Sequence, residues 1–190
     1  MKLERILPYA RTILEKAVSP GDVVVDATLG NGHDALFLAN LVGPNGRVYG
    51  FDIQEQAIQN SRIRLSGHGM EERATLFHSG HEQLLECIPP VHHKKITAAV
   101  FNLGYLPGSD KTVVTRPRTT ISAIEQLLEV MPPEAVIVLV IYHGHFEGAV
   151  ERDYLLRYVK TIEQERAHVL QYQFINQANK PPFIIAIEKR

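Results

Sequence analysis

Residues 23–34 read Val-Val-Val-Asp-Ala-Thr-Leu-Gly-Asn-Gly-His-Asp, an apolar run that ends in a carboxylate and then breaks at Gly30 and Gly32. Consecutive valines suit a parallel strand covered on both faces, because a strand with one wet face would alternate apolar and polar residues. The glycines after it permit a tight turn into a helix beginning near His33. Bare backbone there can approach a ligand closely, and the helix start adds free N–H groups at the positive end of a dipole. The segment therefore predicts an α/β fold with a ligand loop at the carboxyl end of its first strand.

The remainder of the chain extends the alternation. Leu3, Ile6, Leu7, Ala10, Ile13, Leu14 and Ala17 recur near a helical period, giving an extra N-terminal helix over 3–18 that Pro20-Gly21 stops. Strands follow over 23–27, 47–52, 74–78, 96–102 and 135–141, with helices over 33–41, 55–66, 81–87 and 118–130 between them. A helix over 148–161 leads to two strands, 167–174 and 182–188, separated by Asn176-Gln177-Ala178-Asn179-Lys180-Pro181. The pattern predicts one Rossmann-like domain over 1–190, with a mostly parallel seven-stranded sheet whose last strand is antiparallel. A terminal hairpin of this kind is the topology of class I S-adenosylmethionine-dependent methyltransferases, whereas dinucleotide-binding Rossmann domains keep their strands parallel.

Spacing in the loop bears on the same choice. Gly30-x-Gly32-x-x-Ala35 with Asp52 downstream fits the dinucleotide fingerprint loosely. Asp26-x-Thr28-x-Gly30-x-Gly32 fits better the D-x-G-x-G-x-G loop of the methyltransferases, with Thr28 at the first glycine. A carboxylate sits badly beside a pyrophosphate but well beside a sulfonium and an amino group, so Asp26 favours S-adenosylmethionine. Asp52, at the end of the second strand, is placed to accept both ribose hydroxyls, with Gln54 beside it. Asn31 and His33 fall around the methionine moiety. Ser79 and His81 stand where many methyltransferases carry an adenine-contacting aspartate.

Acceptor chemistry is read from the fourth and fifth strand ends. Asn102-Leu103-Gly104-Tyr105 occupies the place of the Asn/Asp-Pro-Pro-Tyr motif of amino-group methyltransferases, with Leu103-Gly104 replacing the prolines. The Asn102 amide oxygen and a carbonyl such as that of Leu103 can accept hydrogen bonds from an amine and aim its lone pair, while Tyr105 stacks or packs. An alkylamine of pKa about 10.4 must lose a proton before it attacks. His143 or His145, in Tyr142-His143-Gly144-His145, can receive it directly or through water. His-x-His without a cysteine or acidic partner nearby does not complete a metal site, and none is expected.

The 190 residues carry 20 Lys and Arg against 21 Asp and Glu, a formal charge of −1, so no global field draws nucleic acid and any RNA contact is local. The lone Cys87 excludes a disulfide framework and a cysteine-based zinc site. With no apolar run of about 20 residues and no signal-peptide stretch, a cytoplasmic location is expected.

Taken together, Asp26 to Asp34, Asn102 to Lys111 and Tyr142 to His145 resemble the small bacterial "putative rRNA methylase" family, over nearly the whole chain. That family is similar to the Gram-positive enzymes that methylate 5-aminomethyl-(2-thio)uridine at wobble position 34 of tRNA. The resemblance implies a class I fold, S-adenosylmethionine as donor, an anticodon-loop substrate and a homodimer. The RNA would be gripped by the catalytic domain itself, with Lys111, Arg116 and Arg118 on phosphates and Tyr142 near the base. The alternatives are methylation of ribosomal RNA, a protein or a small amine, a cofactor-sensing protein without catalysis, and a nicotinamide oxidoreductase.

Overall fold

A computed structural model describes residues 2–104, 115–144 and 146–190. The strands are β1 (Val23–Asp26), β2 (Arg47–Asp52), β3 (Ala74–His78), β4 (Ile96–Leu103), β5 (Val136–Ile141), β6 (Ala167–Tyr172) and β7 (Phe183–Lys189). The helices are α1 (Ile6–Ala17), α2 (His33–Val42), α3 (Glu55–Gly67), α4 (Leu84–Cys87), α5 (Pro90–His93), α6 (Pro117–Val130) and α7 (Phe146–Val159). One seven-stranded sheet runs in the order β3-β2-β1-β4-β5-β7-β6. β1 pairs parallel with β2 and β4, while β7 is antiparallel to both β5 and β6. The predicted terminal hairpin is therefore present, and β7 is inserted beside β5.

Each central strand is buried on both sides, which is why its sequence is a run instead of an alternation. Val23 and Val25 face the layer built by α4, α6 and α7, with Leu84, Ile124, Leu127 and Leu155 in that core. Val24 faces the opposite layer, where Ile6, Ala10 and Leu14 of α1 and Leu38, Ala39 and Val42 of α2 pack. Full burial of each such aliphatic side chain contributes roughly 1.5–3 kcal/mol by area, so the apolar runs suffice to fix the register.

After β3 the chain crosses to the far side of β1 to form β4. This reversal sends the connections that leave the carboxyl ends of β1 and β4 to opposite faces of the sheet, and ligands of open α/β sheets bind at such a crevice. Two elements differ from expectation. The helix expected over 81–87 is a 3₁₀ turn at His81–Gln83 followed by α4, and α5 adds a turn after Pro89. Too few apolar periods occur there to show a helical face, and Pro90 starts a new one at its first position. α7 begins at Phe146, before the expected Gly148, because a glycine in the first turn breaks fewer intrahelical bonds than one mid-helix. Among the described residues no helix is long and apolar enough to cross a membrane.

Candidate active site

The loop between β1 and α2 is shaped by its two glycines. Gly30 has φ 52° and Gly32 φ 73°, left-handed values that a side chain disfavours. A Cβ on Gly32 would stand 2.7 Å from the Cα of Ser61, so α3 braces the loop from behind. Two further ties reach α3: Asn60 donates to the Asn31 side chain at 2.9 Å, and Arg64 donates to the Asn31 carbonyl at 2.6 Å. From the front, Asp52 accepts the Gly30 N–H at 3.0 Å through one oxygen and the Gln54 N–H at 3.0 Å through the other. Asp52 thus pins the glycine loop to the end of β2 while still facing the cleft.

Thr28 has a use that a glycine could not supply. Its hydroxyl accepts the backbone N–H of Asn102 at 2.7 Å, tying the ends of β1 and β4 together. The Asn102 side chain, at the same rim, donates from Nδ2 to a carboxylate oxygen of Asp34 in the first turn of α2. Because a carboxylate only accepts, this bond assigns the amide: the nitrogen is committed to Asp34 and Oδ1 is the acceptor left for a ligand.

These groups line a cleft of about 1030 Å³. Of the candidate residues, Thr28, Gly30, Asn31, His33, Asp52, Gln54, Ser79, His81, Asn102, Leu103, Gly104, Arg116, Tyr142 and His143 lie on its wall. Asp26, Gly32 and Arg118 do not. Asp26 is wholly buried behind the loop, where it accepts the Thr28 N–H at 3.2 Å. Burial, then the charges of Asp34 and Asp52, push its carboxyl well above the usual range. Asp26, expected to face a cationic donor, is thus placed behind the wall, and the carboxylates that reach the cleft are those of Asp34, Asp52 and Glu82. Tyr105, Lys111 and His145 lie outside the described residues.

The histidines differ from one another. His81 is buried; its Nδ1 donates to the Ala27 carbonyl at 3.0 Å, and burial holds its pKa down, so Nε2 is a lone-pair acceptor. Among the described residues that nitrogen has no partner. His143 is also buried against the Phe183 ring, with neither ring nitrogen in hydrogen-bond geometry to a described residue, although the Pro181 carbonyl is near. Burial first, then Arg152 and Lys180, lower its pKa and keep the imidazole neutral and basic in form. Burial and the Asp34 charge raise Tyr142, so its phenol stays protonated.

Residues 48–188 match the family model described as "Putative rRNA methylase". The chain belongs to that family. It is 30% identical over 188 residues, 95% of its own length and 68% of the other's, to "tRNA (mnm(5)s(2)U34)-methyltransferase, chloroplastic" of Arabidopsis thaliana. A "putative rRNA-methylase" from Clostridium thermocellum shares 40% identity over the full length of both chains, with a TM-score of 0.96. A "putative methyltransferase" from Streptococcus mutans, solved in complex with SAH, shares 34% identity over 99% of each chain, with a TM-score of 0.89.

This rRNA-methylase family member is an S-adenosylmethionine-dependent methyltransferase of the RNA-methylating type, and its residues fit that cofactor. Left-handed glycines leave room for close approach, Asp52 keeps acceptor capacity at the end of β2, and the buried His81 Nε2 is an acceptor without a partner among the described residues. Asp34 and Asp52 place two carboxylates on the cleft wall.

Four charged wall residues were not singled out in the sequence: Arg11 of α1, Asp34, Glu82 and Lys180. Asp34 reads there as an acidic residue complementing a helix start. Glu82 follows His81 and lines the same end of the cleft. Lys180 comes from the β6–β7 turn, with φ 48°, an unusual value for a non-glycine residue before a proline. Only the strained backbone at Lys180 marks it, and a strained backbone is invisible in a string of letters.

Proposed function

We propose that the protein methylates the primary amine of 5-aminomethyl-(2-thio)uridine at tRNA position 34, giving the 5-methylaminomethyl form. One observation carries the reading: Asn102, its amide orientation fixed by Asp34, shares a cleft with the glycine loop and Asp52. An amide oxygen at this rim accepts an N–H from a nitrogen nucleophile and points the opposite lone pair at the donor. The name of the plant relative supports the same substrate.

When bound, S-adenosylmethionine supplies an electrophilic methyl group. The chain's part is positioning and proton removal. Asn102 Oδ1 and the Leu103 carbonyl would orient the amine, and His143, neutral on the same wall with its ring nitrogens buried, and His145 are the candidates for taking the proton. Arg116 at the start of α6, Arg11 of α1 and Lys180 of the terminal hairpin stand around the cleft and would hold flanking phosphates. Arg118 on α6 and Tyr142 on the cleft wall are further candidates for phosphate and base contact, and Lys111 and Tyr105 are candidates from the sequence alone.

Purified protein incubated with labelled S-adenosylmethionine and tRNA bearing the aminomethyl group should label uridine 34, read by nucleoside mass spectrometry. Asn102→Ala should abolish transfer and retain SAH binding. Label found in ribosomal RNA and absent from tRNA would refute the proposal.

A further inference from the structure

Asp34 closes the cofactor-loop segment, and it connects that segment to the Asn102 turn. It sits on the first turn of α2, lines the cleft, and holds the Asn102 amide nitrogen. A backbone carbonyl could have oriented that amide equally well. A carboxylate adds a full negative charge beside the acceptor that aims the nucleophile, and that charge favours a cation nearby. Among the described residues the cleft offers Arg11, Arg116 and Lys180, which come from α1, α6 and the terminal hairpin; no salt bridge to Asp34 is formed.

We infer that Asp34 is the counter-ion of a cationic alkylamine substrate: it binds the ammonium form beside Asn102 and locks the Asn102 amide with Oδ1 toward that nitrogen. The inference rests on the amine reading above and adds a basis for selectivity. A protonated alkylamine gains a charge-assisted hydrogen bond from Asp34. A neutral aromatic amine or a hydroxyl leaves the carboxylate beside a group that cannot compensate it, so such acceptors are disfavoured.

The charges also balance through the reaction. The ammonium gives up one proton to His143 or water; its freed lone pair forms the N–C bond as the S–C bond of the sulfonium breaks. The sulfonium becomes a neutral thioether and the product is a secondary ammonium. One positive charge therefore remains beside Asp34, and one proton leaves.

The decisive comparison is between wild type, Asp34→Asn and Asp34→Ala, each read by three measurements. Asp34→Asn keeps the volume and a carbonyl that can still accept from Asn102, and removes only the charge. It should bind S-adenosylmethionine and SAH each within about threefold of wild type while kcat/KM for aminomethyl-bearing tRNA falls about 10- to 100-fold, chiefly through KM, as expected for one lost hydrogen bond to a charged group. Asp34→Ala should in addition lower kcat and displace the Asn102 side-chain amide signal in ¹⁵N spectra, which Asp34→Asn should largely preserve.

Unchanged kinetics in Asp34→Asn would overturn the inference. So would a loss of S-adenosylmethionine binding parallel to the loss of turnover, which would assign Asp34 to the donor. If wild type itself leaves aminomethyl tRNA unmodified, the proposed substrate fails, and the counter-ion role fails with it. The Asn102 amide signal then decides the positioning role alone: an unmoved signal in Asp34→Ala overturns that too.

Discussion

Replacing Asp52 by asparagine tests whether the carboxylate holds the cofactor loop as well as the ribose. Both oxygens are in use, one on the Gly30 N–H and the other on the Gln54 N–H, each at 3.0 Å. Asparagine has one carbonyl, so whichever way it turns, an NH₂ group faces a backbone N–H. An N–H left without an acceptor in a partly buried position costs about 1–3 kcal/mol. In the ligand-free protein the loop can relax toward water and avoid part of that penalty. Cofactor binding requires the loop closed, so the penalty returns as lost affinity. At about 1.4 kcal/mol per factor of ten, SAH should bind roughly 5- to 150-fold more weakly. Calorimetric titration with SAH gives the affinity, and amide hydrogen exchange at Gly30 and Gln54 shows which N–H lost its acceptor. Wild-type affinity together with unchanged protection of both amides would refute the reasoning, because the two bonds would then carry no load.

Three other perturbations separate backbone, burial and charge. Gly32→Ala places a Cβ 2.7 Å from the Ser61 Cα at φ 73°, and left-handed strain plus overpacking should destabilise the fold by about 2–5 kcal/mol, seen as a Tm drop on the order of 10 °C. Asp26→Asn should stabilise the ligand-free protein increasingly as pH rises. The raised pKa of Asp26 means that its favourable state is the protonated one, complete below the unfolded-state value and lost as pH climbs through the folded value. A Tm difference between variant and wild type that is flat from pH 4 to 8 would contradict this. Arg116→Ala and Lys180→Ala should each weaken tRNA binding and reduce the slope of log K against log salt by about 1, while SAH affinity stays constant. An unaltered salt slope would remove those side chains from the phosphate path.

The fold was readable wherever burial imposes a periodic pattern. Val23 to Val25 and Val136 to Ile141 are continuous apolar runs because the sheet is covered on both faces, and the letters of α1 repeat with one apolar face. The terminal hairpin was readable from its turn-forming residues between two strand-like runs. What escaped was short or depended on distance. α4 and α5 have four residues each, too few for a period to emerge. Within the site, the positions of Thr28, Asp52 and Asn102 follow from where strands end, and strand ends are visible in sequence. The burial of Asp26 is not, because a carboxylate at a strand end looks the same whether it faces the cleft or the core. Lys180 is separated by more than seventy residues from Asn102, and only the antiparallel insertion of β7 carries it to the same wall.

The arrangement of charge gives the site its direction. Asp34 and Asp52 stand on the side built from β1, α2 and β2, and Arg11, Arg116 and Lys180 come from α1, α6 and the hairpin. A molecule with near-zero net charge can hold both signs in one cleft without a global field, because each acts over the few ångströms where screening is weakest. The carboxylates suit a sulfonium and an ammonium, whose mutual repulsion would otherwise oppose their meeting, and the cations suit the phosphates that bring the nucleotide. A polynucleotide with a positively charged side group satisfies both halves at once. A small amine offers nothing to the cations, and an unmodified base offers nothing to Asp34. On these grounds neither a free amine nor unmodified RNA should turn over as fast as RNA carrying the amine, and competition between the three substrates in a single reaction orders them directly.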